Sequence, residues 1–141
     1  MTEFDISKAK SLRIIIVDDD PLFTNQALAS LDGSDFNVHI AGDGVEGLER
    51  IDAAPFDLAI IDLHMPRVDG LRVIALLRGA VRHSSLAIMV LSARSDPEAF
   101  HEAMAIGADA IETKPINWAL LPDRVRSIVA KKRSNSVAAK G

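Results

Sequence analysis

Residues 12–21 read Leu-Arg-Ile-Ile-Ile-Val-Asp-Asp-Asp-Pro, and the order of these residues decides the architecture. Leu12–Val17 is a mostly apolar, β-branched run stopped abruptly by Asp18, Asp19 and Asp20, which reads as a strand buried on both faces. Pro21 has its φ angle set for a first helical turn, with Asp19 or Asp20 as the cap before it. Leu22, Leu28 and Leu31 then give an apolar face up to Gly33. The same alternation repeats downstream: a weak strand over 37–41, a helix over 45–53 carrying Val45, Leu48 and Ile51, and a fully apolar strand at Leu58–Asp62. A helix over 71–78, a buried strand over 86–91 and a helix at Pro97–Ile106 follow, the last capped by Ser95 or Asp96 and stopped by Gly107. A short strand at Ala110–Thr113 precedes a final helix from about Leu120 to near Lys131, whose first turn Pro122 makes ambiguous. Strands alternating with helices predict an α/β domain with a parallel sheet covered on both faces and right-handed crossovers.

Composition narrows the possibilities. At 141 residues the chain suits one compact domain, divided here into an N-terminal extension over 1–11, the domain over 12–131 and a polar flexible tail or linker stub over 132–141. With 20 acidic and 16 basic side chains the net charge is −4, which lacks the basic field of a nucleic-acid binder, and a hydrophobic content of 48% excludes a disordered chain. The absence of cysteine excludes a disulfide framework, a thiolate metal site and a thiol nucleophile, and fits a reducing compartment, so a cytoplasmic location is expected. No apolar run approaches the roughly 18 residues of a membrane span, and residues 1–10 lack the order of a signal peptide, so no membrane partner is expected.

Ligands of open parallel sheets bind beyond the carboxyl ends of the strands. The polar residues at the predicted strand ends are Asp18, Asp19 and Asp20, then Asp62, Ser92 and Lys114. Carboxylates converging on one rim repel and raise one another's pKa unless a hard cation neutralises them, and Mg²⁺ prefers one or two carboxylates with water and phosphate oxygens. A lysine and a serine hydroxyl complete an electrostatic clamp for phosphoryl transfer, in which a carboxylate can itself be the nucleophile.

At these residues the sequence resembles the receiver domain of bacterial two-component response regulators, over about residues 12–131. The resemblance rests on Ile-Ile-Ile-Val-Asp-Asp-Asp-Pro at 14–21, Ile-Asp-Leu-His-Met-Pro-Arg-Val-Asp-Gly at 61–70, Val-Leu-Ser-Ala at 90–93, Gly-Ala-Asp-Ala at 107–110 and Lys-Pro at 114–115. It implies a flavodoxin-like, three-layer (βα)5 fold with a five-stranded parallel sheet in the order 2-1-3-4-5. It also implies a phosphorylation-switched signalling domain, an enzyme only in catalysing its own phosphotransfer and dephosphorylation. Asp62 would accept a phosphoryl group from a histidine kinase or phosphotransfer protein, with Mg²⁺ held by Asp18, Asp19, Asp62 and the His64 backbone carbonyl. Ser92 and Lys114 would bind the phosphoryl oxygens, and the Lys114–Pro115 bond would be cis. His64 and Arg94 would flank the path of the hydrolytic water and tune the lifetime. Ile111 stands where the family usually carries a tyrosine or phenylalanine that turns inward, so any switch there must work by steric repacking. The signal would leave through the 97–125 surface, to a downstream protein or to a second copy in a homodimer, with no direct nucleic-acid contact.

Other readings compete. Gly42-x-Gly44-x-x-Gly47 with Asp62 beyond it fits the dinucleotide fingerprint by pattern, although the remaining chain has too few strands for that fold. Asp18-x-Asp20 with Ser92 and Lys114 resembles a haloacid-dehalogenase-type phosphohydrolase using Asp18, but that leaves Asp62 without a role. A pseudo-receiver acting as a constitutive binding module is the third. Asp20 reads as a cap, Asp43 as a turn or cap and Asp69 as a turn. His39, His83 and His101 read as solvated or partly packed, Trp118 as a packing anchor, and Lys131, Lys132 and Arg133 as solvated charges favoured by the helix dipole.

Overall fold

The computed structural model describes residues 11–65, 68–93 and 97–140, with side chains up to residue 135. The expected extension lies outside the described residues except for Ser11, as do Arg94 and the Ser95 or Asp96 cap. The strands are β1 (Leu12–Val17), β2 (Phe36–Ala41), β3 (Leu58–Asp62), β4 (Ala87–Ser92) and β5 (Ala110–Thr113). The helices are α1 (Pro21–Ser30), α2 (Gly44–Ala53), α3 (Gly70–Arg78), α4 (Pro97–Ile106) and α5 (Leu121–Lys140). The strands form one parallel sheet in the order β2-β1-β3-β4-β5, as expected.

Successive strand side chains point to opposite faces, which explains why the central strands are apolar throughout. Ile14 and Ile16 join Leu58, Ile60, Met89 and Leu91 under Phe23 and Ala27 of α1 and Val125 and Ile128 of α5. Ile15 and Val17 join Ile61, Ile88 and Val90 on the other face, against Ile51 of α2, Val73 and Ile74 of α3 and Ala103 of α4. Asp20, Asp43 and Asp69 each cap a helix, accepting from the backbone N–H of Leu22 at 3.0 Å, Glu46 at 2.8 Å and Arg72 at 2.9 Å. Asp69, read as a turn, is thus a helix cap.

Several details depart from expectation. The buried stripe of α1 is Phe23, Thr24 and Ala27 leading to Leu31, whereas Leu22 is 68% exposed and Leu28 also faces outward. Residues 23, 27 and 31 recur at a helical spacing of four, which leaves Leu22 and Leu28 rotated off that face. The final helix, expected to end near Lys131, continues to Lys140. Pro122 falls in its first turn, where no intrahelical N–H bond is lost, and no glycine or proline follows before 141. Lys132 pairs with Asp109 at 3.0 Å and Arg133 with Asp57 at 2.9 Å, so these charges are engaged, not merely solvated. His83 likewise pairs with Asp52 at 2.7 Å.

His39 carries a pH dependence. Its ring meets Phe56 edge-on at 5.4 Å, and its Nε2 is buried with no hydrogen-bond partner among the described residues. Burial, with the charges of Arg13 and Arg50, lowers its pKa from the ordinary 6.5. The folded chain therefore protonates His39 less readily than the unfolded chain does, so its contribution to stability is present above pH 6.5 and is lost as pH falls below that value. Urea midpoints are expected to fall between pH 7 and pH 5 less steeply in His39→Leu than in the parent. Parallel curves for the two proteins would contradict this.

Candidate functional site

The register of the strands assembles the site. Val17 lies beside Ile61, Asp62 beside Leu91 and Ser92 beside Thr113, so the carboxyl ends of β1, β3, β4 and β5 come together at one rim. Asp18, Asp62, Ser92 and Lys114 are at or one residue beyond those ends. Asp18 is 2% exposed, Asp62 6% and Ser92 0%, whereas Asp19 is open to solvent. One carboxylate oxygen from each of Asp18, Asp19 and Asp62 lies within 4.8 Å of the others.

The charges are tightly arranged. The Lys114 ammonium donates to Asp18 Oδ2 at 2.7 Å and lies 3.6 Å from Asp62 Oδ2. Asp18 Oδ1 accepts from the Asp20 N–H at 2.9 Å, and Asp62 Oδ1 accepts from the His64 N–H at 3.1 Å. Burial raises the pKa of Asp62, and the charges of Asp18 and Asp19 push the same way against the His64 hydrogen bond and Lys114. Three carboxylates facing one ammonium leave a surplus of negative charge around hard oxygen donors, and that donor set fits a divalent cation such as Mg²⁺. The Lys114–Pro115 bond is cis, and the Lys114 N–H donates to the Ser92 carbonyl at 2.7 Å, joining the last two strand ends.

Gly70 holds the loop after Asp62 in place. A Cβ at this position would collide with the Asp62 carbonyl oxygen and lie 2.7 Å from Leu63 Cα, while the Gly70 N–H donates to the Leu63 carbonyl at 3.1 Å. Only glycine lets α3 start so close to the strand end. The glycine pattern at 42–47 proves to be packing: a Cβ on Gly44 would meet the Val68 carbonyl at 2.8 Å, and one on Gly47 would meet Val17 at 2.8 Å.

Of the other residues singled out, His64 is exposed beside the site, and Ile111 is half-buried in β5 opposite Val90, packed against the α3 and α4 face of the core. Phe23 was missed. Its ring lies under the Lys114 ammonium, 4.1 Å from the nitrogen to the ring centroid, and the sequence signals nothing more there than a core phenylalanine. Trp118 packs on Phe23 with centroids 5.0 Å apart, in keeping with an anchor.

An acidic rim and a lysine thus meet at the carboxyl edge of a parallel sheet with strand order 2-1-3-4-5. The chain belongs to the response regulator receiver domain family, whose model matches residues 14–126. Among its relatives, the response regulator MprA of Mycobacterium tuberculosis is 34% identical over 128 residues, covering 91% of this chain and 55% of the relative. MprA of Mycobacterium ulcerans is 36% identical over 121 residues, covering 86% of this chain and 51% of the relative. The chain thus spans about half the length of these curated relatives. A putative response regulator from Chloroflexus aurantiacus superposes with a TM-score of 0.80 at 30% identity, covering 86% of this chain and 99% of that one. The chemotaxis protein CheY4 of Vibrio cholerae does so with a TM-score of 0.78 at 26% identity, covering 84% and 98%.

Proposed function

We propose that Asp62 is the phosphoacceptor of this receiver domain, loaded by a histidine kinase or phosphotransfer protein and unloaded by water at the same site. The observation that carries this reading is the placement of Asp62: buried at the end of β3, with Asp18 and Asp19 on one side and the Lys114 ammonium 3.6 Å away. Burial that raises the basicity of a carboxylate also makes it a better nucleophile once ionised. In transfer, the N–P bond of the donor phosphohistidine breaks and an O–P bond to the Asp62 carboxylate forms. In hydrolysis, a water oxygen takes the phosphorus, the bond to Asp62 breaks, and the carboxylate and inorganic phosphate are released. Asp18, Asp19, Asp62 and the His64 carbonyl would hold Mg²⁺, which when bound neutralises charge on the phosphoryl oxygens. Ser92 and Lys114 take the remaining oxygens, and His64, exposed beside the site, tunes the water's approach.

The acting unit is residues 12–131, working in the cytoplasm, and among the described residues no helix is long and apolar enough to cross a membrane. Output runs through the 97–125 surface, where Met104 is exposed and Arg124 pairs with Glu112 at 2.9 Å, to a downstream protein or a second copy. The phosphohydrolase reading is disfavoured because it leaves Asp62, buried at the end of β3 inside the acidic cluster, without a role.

Incubation with acetyl phosphate and Mg²⁺ is expected to add one phosphoryl group by intact mass, and EDTA to prevent it. A chain that stays unmodified in Mg²⁺ would refute the assignment. Asp19→Asn is expected to weaken Mg²⁺ binding about tenfold or more, because a site with few protein ligands loses much of its affinity with one hard anion. Calorimetric titration checks this, and an unchanged affinity would make the acidic cluster a solvated rim.

A further inference from the structure

Lys114 touches more than carboxylates. Its ammonium is held from three sides: Asp18 at 2.7 Å, Asp62 at 3.6 Å, and the face of Phe23, whose centroid is 4.1 Å away. Phe23 is 7% exposed, so this cation–π contact is largely desolvated, the condition under which such contacts are strongest. Phe23 also touches Trp118, with centroids 5.0 Å apart and planes at 52°. Trp118 begins the short 3-10 turn Trp118–Leu120 between β5 and α5, and Leu120 in that turn is 60% exposed. A continuous contact chain therefore runs from the acidic rim through one phenylalanine and one tryptophan to the surface.

We propose that Phe23 is a positioning residue for Lys114, and that the Phe23–Trp118 pair carries displacement of the Lys114 ammonium into the turn between β5 and α5. This rests on the reading of Asp62 as phosphoacceptor. A phosphoryl group on Asp62 presents new anionic oxygens that draw the ammonium away from the ring. The ring then loses its cation, and Trp118, packed on that ring and only half-buried, takes a new position. Ile111 has no aromatic ring to move, and on the opposite face of the sheet it packs against a different core. The aromatic chain gives the domain a second exit for the signal on the α1 and α5 side.

Trp118 is the single tryptophan, so its emission reports on this turn alone. With acetyl phosphate and Mg²⁺, the emission of the parent chain and of Phe23→Tyr, which keeps an aromatic face, is expected to shift. Phe23→Leu, apolar but without that face, is expected to gain the phosphoryl mass several-fold more slowly and to lose most of the shift. Equal rates and equal shifts in Phe23→Leu would overturn the proposal and leave Phe23 a core residue. A second arm needs no phosphorylation: Lys114→Met in Mg²⁺ is expected to move Trp118 emission in an otherwise parental chain, and this arm remains decisive if Phe23→Leu fails to fold. An unmoved emission in Lys114→Met would also overturn the relay. If Lys114→Met moves the emission while acetyl phosphate adds no mass to the parent, the relay stands and the phosphoacceptor reading falls.

Discussion

Lys114→Met will unfold at a much lower urea midpoint than the parent chain at pH 7 without Mg²⁺, a loss of about 3 kcal/mol. Methionine keeps the length and apolar stem of the side chain but removes its charge. Asp18 and Asp62, 2% and 6% exposed, are then left with Asp19 beside them and no cation in contact among the described residues. Removing one partner of a buried pair costs more than the pair contributes, because the remaining charge stays desolvated. The pH dependence follows from Asp62, whose folded pKa is raised above the ordinary 3.8. A raised carboxyl contributes its stability in full below the unfolded value and loses it as pH rises through the folded one, so ionised Asp62 is a net cost at neutral pH. Asp62→Asn should therefore melt higher than the parent without Mg²⁺, and Lys114→Met/Asp62→Asn should recover part of the loss. Saturating Mg²⁺ should narrow the gap between parent and Lys114→Met, since a cation bound to the folded state stabilises it by mass action. Equal midpoints for Lys114→Met and the parent would mean that Lys114 does not compensate these carboxylates.

Gly70→Ala will cost about 1–3 kcal/mol and slow phosphorylation as well, because the obstruction it creates is a methyl group against fixed backbone. The added methyl would meet the Asp62 carbonyl oxygen and Leu63 Cα, neither of which can rotate away, so α3 must lift off or the loop carrying Asp62 must shift. Gly42→Ala is the control. A Cβ there meets only the tip of Glu46, at 3.7 Å, and the midpoint should stay within about 0.5 kcal/mol. A Gly70→Ala protein with parental stability and parental phosphorylation would show that the close approach is not needed.

The order of elements was legible because a parallel sheet covered on both faces demands short, continuous apolar runs, and β1, β3 and β4 supply them in plain form. Asp18, Asp62 and Ser92 could be picked out for the same reason: each is the polar residue at which such a run stops, whereas Lys114 follows Glu112 and Thr113 and stood out only by its place at the end of the last strand. The inward face of α1 was misread because apolar side chains occur around most of that helix, so periodicity did not separate Leu22 and Leu28 from Phe23 and Ala27. The length of α5 was misread because residues 132–140 are small and polar, although no glycine or proline interrupts 123–140. Phe23 under Lys114 is a contact between residues 91 positions apart whose chemistry exists only once the sheet has brought α1 and β5 together. The glycines at 44 and 47 match a nucleotide-binding spacing because close helix–strand packing asks for glycine in both settings.

The identity of the acceptor is tested most directly by intact-mass measurement of the parent chain, Asp62→Asn and Asp18→Asn after incubation with acetyl phosphate and Mg²⁺. One added phosphoryl group in the parent and none in Asp62→Asn is the expected result, with Asp18→Asn modified slowly or not at all because its metal site is impaired. Undiminished labelling of Asp62→Asn, with labelling lost in Asp18→Asn, would contradict it and place the nucleophile on β1.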